Sequence, residues 1–270
     1  MRMLRSFYLF AAVAALFSVA SVAQAAAANA PAQPAAGIDC NKCHANLTVR
    51  IKFVHAAVAM GCDACHTGIA ETNKVPHKKT NTITKGLSAE QPEICYSCHD
   101  KAKFTKKTVH AAVGMGCTGC HNPHASNNEK LLNAAVPDLC FNCHDKLEFT
   151  RKNIHAAVQM GCLTCHSPHS SDNPGLLAKP IYAVCFDCHD NVNNQPHAIA
   201  GFSKKGHPLG LPKKTKKGDK ESPSSVKDPK REGKLFSCAS CHTPHSSDSI
   251  KLFRYPAKSA MNLCTVCHKY

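Results

Sequence analysis

The residues in this chain that can do chemistry are cysteines and histidines at fixed spacing, 18 of each in 270 residues. Every cysteine belongs to a C-x-x-C-H motif. The nine motifs start at Cys40, Cys62, Cys95, Cys117, Cys140, Cys162, Cys185, Cys238 and Cys264, and are numbered I to IX in that order. Their second cysteines are Cys43, Cys65, Cys98, Cys120, Cys143, Cys165, Cys188, Cys241 and Cys267. The histidines that follow are His44, His66, His99, His121, His144, His166, His189, His242 and His268. This spacing is the attachment signal for c-type haem. Two thiols three residues apart on one helical turn can each add to a haem vinyl group, making two thioethers. The next residue, His, then lies under the ring and offers a nitrogen to the iron.

Other chemistries of paired cysteines fit less well. A disulfide framework explains an even count but gives no reason for a histidine after every second cysteine. Zinc sites draw four ligands from paired C-x-x-C units and do not need nine identical following histidines. A thioredoxin-like motif occurs once, in a βαβ setting. Nine covalently attached haems c account for every cysteine.

The other nine histidines are His55, His77, His110, His124, His155, His169, His197, His207 and His245. Nine irons with two axial imidazoles each would use all 18. Six of the nine sit in register with the motifs. His55, His110 and His155 lie seven residues before a motif cysteine; His124, His169 and His245 lie three after a motif histidine. His77, His197 and His207 are out of register and enter as ligands by count. In the C-H-x-P-H form, His121 and His124 are too close along the chain to reach opposite faces of one ring. His124 must therefore serve a different haem, as must His169 and His245. The sequence describes a chain of neighbouring haems, but leaves open which spare histidine serves which iron. Met60, Met115 and Met160 precede Gly-Cys in three motifs. A thioether ligand would raise the potential; with histidines covering the demand, these methionines are expected to pack on porphyrin.

The elements that must position these residues repeat. Cys95 maps to Cys140 and Cys185 at a shift of 45 residues, and Cys117 maps to Cys162. At the same shift His110 maps to His155, Pro123 to Pro168, and Leu131-Leu132 to Leu176-Leu177. A fixed period of this size is one structural unit used repeatedly. The expected division is a signal peptide at 1–25, a flexible leader at 26–39, haem repeats at 40–200 (haems 1 to 7), a Lys/Pro-rich loop at 201–234, and a C-terminal haem pair at 235–270. The signal peptide follows from Arg2 and Arg5, an apolar run from Tyr8 to about Val19, and Ala23-Gln24-Ala25; it is too short and wrongly flanked for a membrane span. The 201–234 segment holds 11 Lys and Arg against four Asp and Glu, with four prolines. It is expected to be a solvated loop, or a docking patch for an acidic redox partner or a lipid surface.

Without residues 1–25 the chain has roughly 27 residues per haem, too few for a sizeable side-chain core. The expected fold is mostly irregular with short α-helices and almost no β structure: an elongated repeat arrangement around a haem-packed core. Segments such as 137–149 should form short helices ending in a haem-binding turn, and His155-Ala-Ala-Val a single turn. The apoprotein should be largely unfolded. The formal charge of +15 is mostly cancelled once two propionates per haem are counted, so it is not a nucleic-acid signal.

The unit H-A-A-V-x-M-G-C-x-x-C-H-x-P-H…L-L…L-C-x-x-C-H-D resembles that of the doubled-CxxCH multihaem c-type cytochromes, related to the cytochrome c3 families. The likeness runs from 40 to 268, apart from insertions between His66 and Cys95 and between His189 and Cys238. It implies an exported, non-enzymatic electron carrier of the periplasm, possible partners being redox proteins, an outer-membrane porin or other cytochromes. It implies no integral membrane domain. Bis-His iron has no open position and favours low potential. Two alternatives remain: a subunit of an extracellular cytochrome filament, with one end iron taking its histidine from the next subunit, and a multihaem oxidoreductase with one five-coordinate haem.

Overall fold

The computed structural model describes residues 39–190, 192, 207, 213–215, 218–220 and 226–269. The expected signal peptide, nearly all of the leader, His197 and much of the 201–234 segment lie outside the described residues.

Each motif forms one helical turn. In all nine, the backbone N–H of the motif histidine donates to the carbonyl of the first cysteine at 2.9–3.1 Å. That turn puts both thiols and the imidazole on adjacent rungs. The chain enters it in two ways. Motifs I, III, V, VII, VIII and IX are carried by α1 (Asn41–His44), α2 (Glu93–Tyr96), α3 (Asp138–Phe141), α4 (Ile181–Phe186), α5 (Cys238–Cys241) and α6 (Ala260–Cys264). Motifs II, IV and VI are single 3-10 turns entered through Gly61, Gly116 and Gly161, whose φ values of 98°, 90° and 95° suit glycine. The H-A-A-V-x-M segments before them are 3-10 turns too, Ala56–Met60, Ala111–Met115 and Ala156–Met160. Helices this short are not stable alone; something else must hold them.

Part of that hold is a set of very short antiparallel strand pairs. β1 (Phe53–Val54) pairs with β5 (Ala125–Ser126), β4 (Thr108–Val109) with β7 (Ser170–Ser171), and β6 (Asn153–Ile154) with β10 (Ser246–Ser247). Each pair joins one repeat to the next in the same register: Val54↔Ala125, Val109↔Ser170, Ile154↔Ser246. β2 (Ile69–Ala70) and β3 (Lys78–Lys79) close the first insertion around His77. β8 (Lys213–Thr215) and β9 (Gly218–Lys220) form a hairpin in the second. The fold is thus mostly irregular, as expected, and among the described residues β structure is confined to strands of two or three residues.

Side chains supply almost no interior. Among the described residues the buried apolar ones are Ala125, Tyr182, Phe236 and Phe253. Met60, Met115 and Met160 are exposed on the polypeptide. Among the described residues no helix is long and apolar enough to cross a membrane.

Candidate metal centres

The histidines meet in pairs. His44 faces His77, His55 faces His99, His66 faces His124, and His110 faces His144. His121 faces His169, His155 faces His189, His166 faces His245, and His207 faces His268. Each of these eight pairs joins one motif histidine to one spare histidine, with ring centroids 5.9–6.1 Å apart. That gap is too wide for ring contact and too regular for accident. A metal–imidazole bond is about 2 Å long, and the ring centre lies about 1 Å behind its nitrogen. An iron between two imidazoles therefore separates their centroids by about 6 Å, so the residues fit axial ligation of a haem. Among the described residues no three Cys, His, Asp or Glu side chains converge on one point to hold a metal ion, which speaks against a four-ligand zinc centre.

Backbone carbonyls fix the tautomers. The Nδ1 of His55, His110 and His155 lies 2.9, 2.9 and 2.8 Å from the carbonyls of Pro123, Pro168 and Pro244. The Nδ1 of His66, His121, His166 and His242 lies 2.8–3.0 Å from the carbonyls of Lys85, Lys130, Gly175 and Lys251. His77 does the same to Lys74 at 2.7 Å. A carbonyl only accepts, so Nδ1 carries the proton and Nε2 keeps its lone pair for a metal. Such an outer hydrogen bond also orients the ring and raises its basicity as a ligand. Burial, then the facing imidazole, lowers the pKa of His124, His169 and His245; burial likewise lowers His242. All four shifts favour the neutral, ligating form.

Four of those carbonyls are aimed by unusual backbone. Lys85, Lys130, Gly175 and Lys251 have φ of 58°, 57°, 67° and 52°, and the residues after them, Gly86, Leu131, Leu176 and Leu252, have φ of 63°, 59°, 56° and 58°. The non-glycine residues among them, including Leu131, Leu176 and Leu252, are costly in this conformation at about 1–3 kcal/mol each. The first carbonyl takes the imidazole Nδ1–H. In the three later copies the second takes the amide of the residue after the histidine, Leu131 from Asn122 and Leu252 from Thr243 at 2.8 Å, and Leu176 from Ser167 at 2.7 Å. The kink turns two acceptors onto the motif at once.

The cysteines order the motifs. The sulfurs of Cys40 and Cys62, Cys95 and Cys117, Cys140 and Cys162, and Cys185 and Cys238 lie close enough to act on one another across neighbouring motifs. Burial, aided by Cys117, pushes the Cys95 thiol up to about 11, and Cys238 raises Cys185. Between these pairs, Cys65 acts on Cys95, Cys120 on Cys140, Cys188 on Cys165, and Cys267 on Cys241. Every motif is thus next to the one that follows it in sequence.

The structure brings together 16 of the 18 histidines singled out from the sequence. It also separates His121 from His124 as ring partners: His124 faces motif II, not motif IV. His197 lies outside the described residues. Sequence reasoning passed over the carbonyl acceptors. Their signals were the proline of C-H-x-P-H and the residue before the repeated leucine pair.

The family model for the doubled CXXCH motif matches residues 55–104, 110–149, 155–194 and 228–270. The chain is also 29% identical over 114 residues to the multiheme cytochrome MtrA of Shewanella baltica (strain OS185), covering 36% of this chain and 34% of that relative. The match therefore spans about a third of the relative's length. With paired motifs repeated along most of its length and paired imidazoles between them, the chain belongs to the doubled CXXCH motif family and is a multihaem c-type cytochrome.

Proposed function

We propose that this protein is a nine-haem electron carrier whose irons are all closed by two histidines. The observation that carries this is the set of eight imidazole pairs at 5.9–6.1 Å, strung on motifs that neighbour one another in chain order. The ninth pair, by the count of nine motif and nine spare histidines, is His242 with His197. When bound, haem c supplies one-electron redox chemistry. The chain's own residues do the rest. Paired cysteines would tether each ring, each motif histidine and the histidine facing it would hold the iron and keep its potential low, and the motif order would set the path for electrons.

Two alternatives are weakened by the same geometry. A filament subunit would leave an end iron short of a ligand within its own chain. Here both end motifs have facing imidazoles, His44 with His77 and His207 with His268. A reductase needs an open iron, and eight motif histidines already face a partner.

The proposal extends to place and partners. The signal-peptide-like residues 1–25 and a cofactor attached after translocation point to export: the periplasm, the outer membrane or outside the cell. Redox partners, an outer-membrane porin or other cytochromes then fit. We keep the division of the chain proposed from the sequence and add one point. The Lys/Pro-rich 201–234 segment, net +7 from 11 basic and four acidic residues, also brings His207 to motif IX, so an acidic partner would be steered to that end.

The test is a haem count by pyridine haemochrome and intact mass, with electron paramagnetic resonance of the oxidised protein. Nine tethered haems, all low-spin, are expected. A count below nine, or a high-spin ferric signal, overturns the proposal.

A further inference from the structure

We infer that the spare histidines of the interior are delivered in clipped pairs, so that each of His55, His110 and His155 positions its neighbour's ligand as well as serving its own iron. The inference rests on the bis-His reading above.

The motif pairings alternate. His55, His110 and His155 face motifs III, V and VII. His124, His169 and His245 face motifs II, IV and VI. These two sets come from adjacent repeats, and the β1–β5, β4–β7 and β6–β10 pairs bring them together. At each junction two hydrogen bonds cross between them. The amide of His55 donates to the carbonyl of His124 at 2.8 Å, His110 to His169 at 2.9 Å, and His155 to His245 at 2.9 Å. The imidazole Nδ1–H of the same histidine donates to the carbonyl one residue earlier, on Pro123, Pro168 or Pro244, at 2.8–2.9 Å.

The donor is therefore a side chain ligating one haem, and the acceptor is the peptide that leads directly into the ligand of the next. Ring and backbone of one histidine grip two successive carbonyls. That fixes both the direction and the rotation of the strand from which the neighbouring imidazole projects. Electrostatics agree that the two are close: each of His124, His169 and His245 feels its clip partner, His55, His110 or His155. His77 is the built-in contrast. Its Nδ1 binds Lys74, three residues away in its own hairpin, and bridges to no other ligand.

The consequence is that removing one clip histidine disturbs two irons, whereas removing His77 disturbs one. The experiment uses the secreted, haem-loaded protein and three variants, read by electron paramagnetic resonance and magnetic circular dichroism. His77→Ala should convert one iron to high-spin and leave the other low-spin signals where they were. His110→Ala should convert one iron and also displace the low-spin signal of a second, the one facing His169. Thr108→Pro touches no histidine. Two residues from the bonded His110, Thr108 is again at a bonded position of the antiparallel ladder, and proline removes its donor. This variant should displace two low-spin signals together with no iron lost.

If His110→Ala leaves the remaining signals as unchanged as His77→Ala does, or if Thr108→Pro moves none, the clip has no positioning role and the inference is overturned. Failure of the underlying bis-His reading looks different: the unmodified protein would itself show high-spin iron, and His77→Ala would add none.

Discussion

The interior of the molecule and its two ends solve the same coordination problem differently. For motifs II to VII the facing histidine comes from a neighbouring repeat at a fixed register. An even motif takes its partner from the C-H-x-P-H of the following repeat, as His66 takes His124. An odd motif takes it from the H-A-A-V of the preceding one, as His144 takes His110. Motifs I and IX have no in-register histidine to draw on. Motif I has no preceding repeat, and His77, from the first insertion, faces it. Motif IX would look seven residues before Cys238, where the chain has Arg231. His207, from the second insertion and stacked on Phe236 at 5.6 Å, faces it instead. Repeat arrays need distinct caps at their ends; on the proposed reading these two insertions act as caps that provide ligands.

That contrast can be broken first at the tethers. Replacing Cys140 and Cys143 by Ala removes an interior haem and leaves His110 and His144 with nothing to hold apart. Replacing Cys264 and Cys267 removes only the last. The interior double variant should be recovered from the expressing host in several-fold lower amount, since small losses of stability translate into abundance. The terminal one should be recovered nearly normally with one haem fewer by mass.

Removing an end ligand should have a smaller effect. His207→Ala is expected to yield one high-spin ferric iron and a rise in that haem's potential, with the thermal unfolding midpoint almost unchanged. If the spectrum does not change, His207 is a loop residue, and the cap argument fails at that end.

The ligand planes sharpen the comparison without any mutation. Four pairs are nearly parallel, at 13–19°: His55–His99, His66–His124, His110–His144 and His155–His189. Four are tilted by 34–53°, both end pairs among them. The angle between axial imidazole planes sets the rhombic field at low-spin ferric iron. Two families of low-spin signals are therefore expected in the oxidised protein, and one uniform family would contradict the geometry.

The smallest effect lies in the left-handed kinks. Leu131→Gly should stabilise the protein by up to about 1 kcal/mol, because glycine escapes most of the cost of positive φ. The first repeat already carries Gly86 at the matching place. A denaturant midpoint that falls instead would show that Leu131 contributes more through its side chain than it costs in backbone.

Much of this was legible in the sequence because it rests on local chemistry. Nine C-x-x-C-H turns need no tertiary context, and the short reach of C-H-x-P-H pointed His124 away from its own motif; in the structure it faces His66. The ligand partners were not legible, because they depend on pairing such as Val109↔Ser170 between strands of two residues. So short a strand carries no alternation to read. The kink at Lys130-Leu131 was hidden for another reason. Nothing in a lysine or leucine announces positive φ; only the glycines at equivalent places, Gly86 and Gly175, hint at it. His77 and His207 escaped register because their positions answer to the ends of the array, not to its period.

The alternating register has one more outcome. Because each 45-residue unit gives one imidazole backwards and one forwards, a duplicated unit spliced into the middle finds both its obligations met on either side. Such a gene can grow or shrink by recombination in steps of two motifs without redesign of its termini.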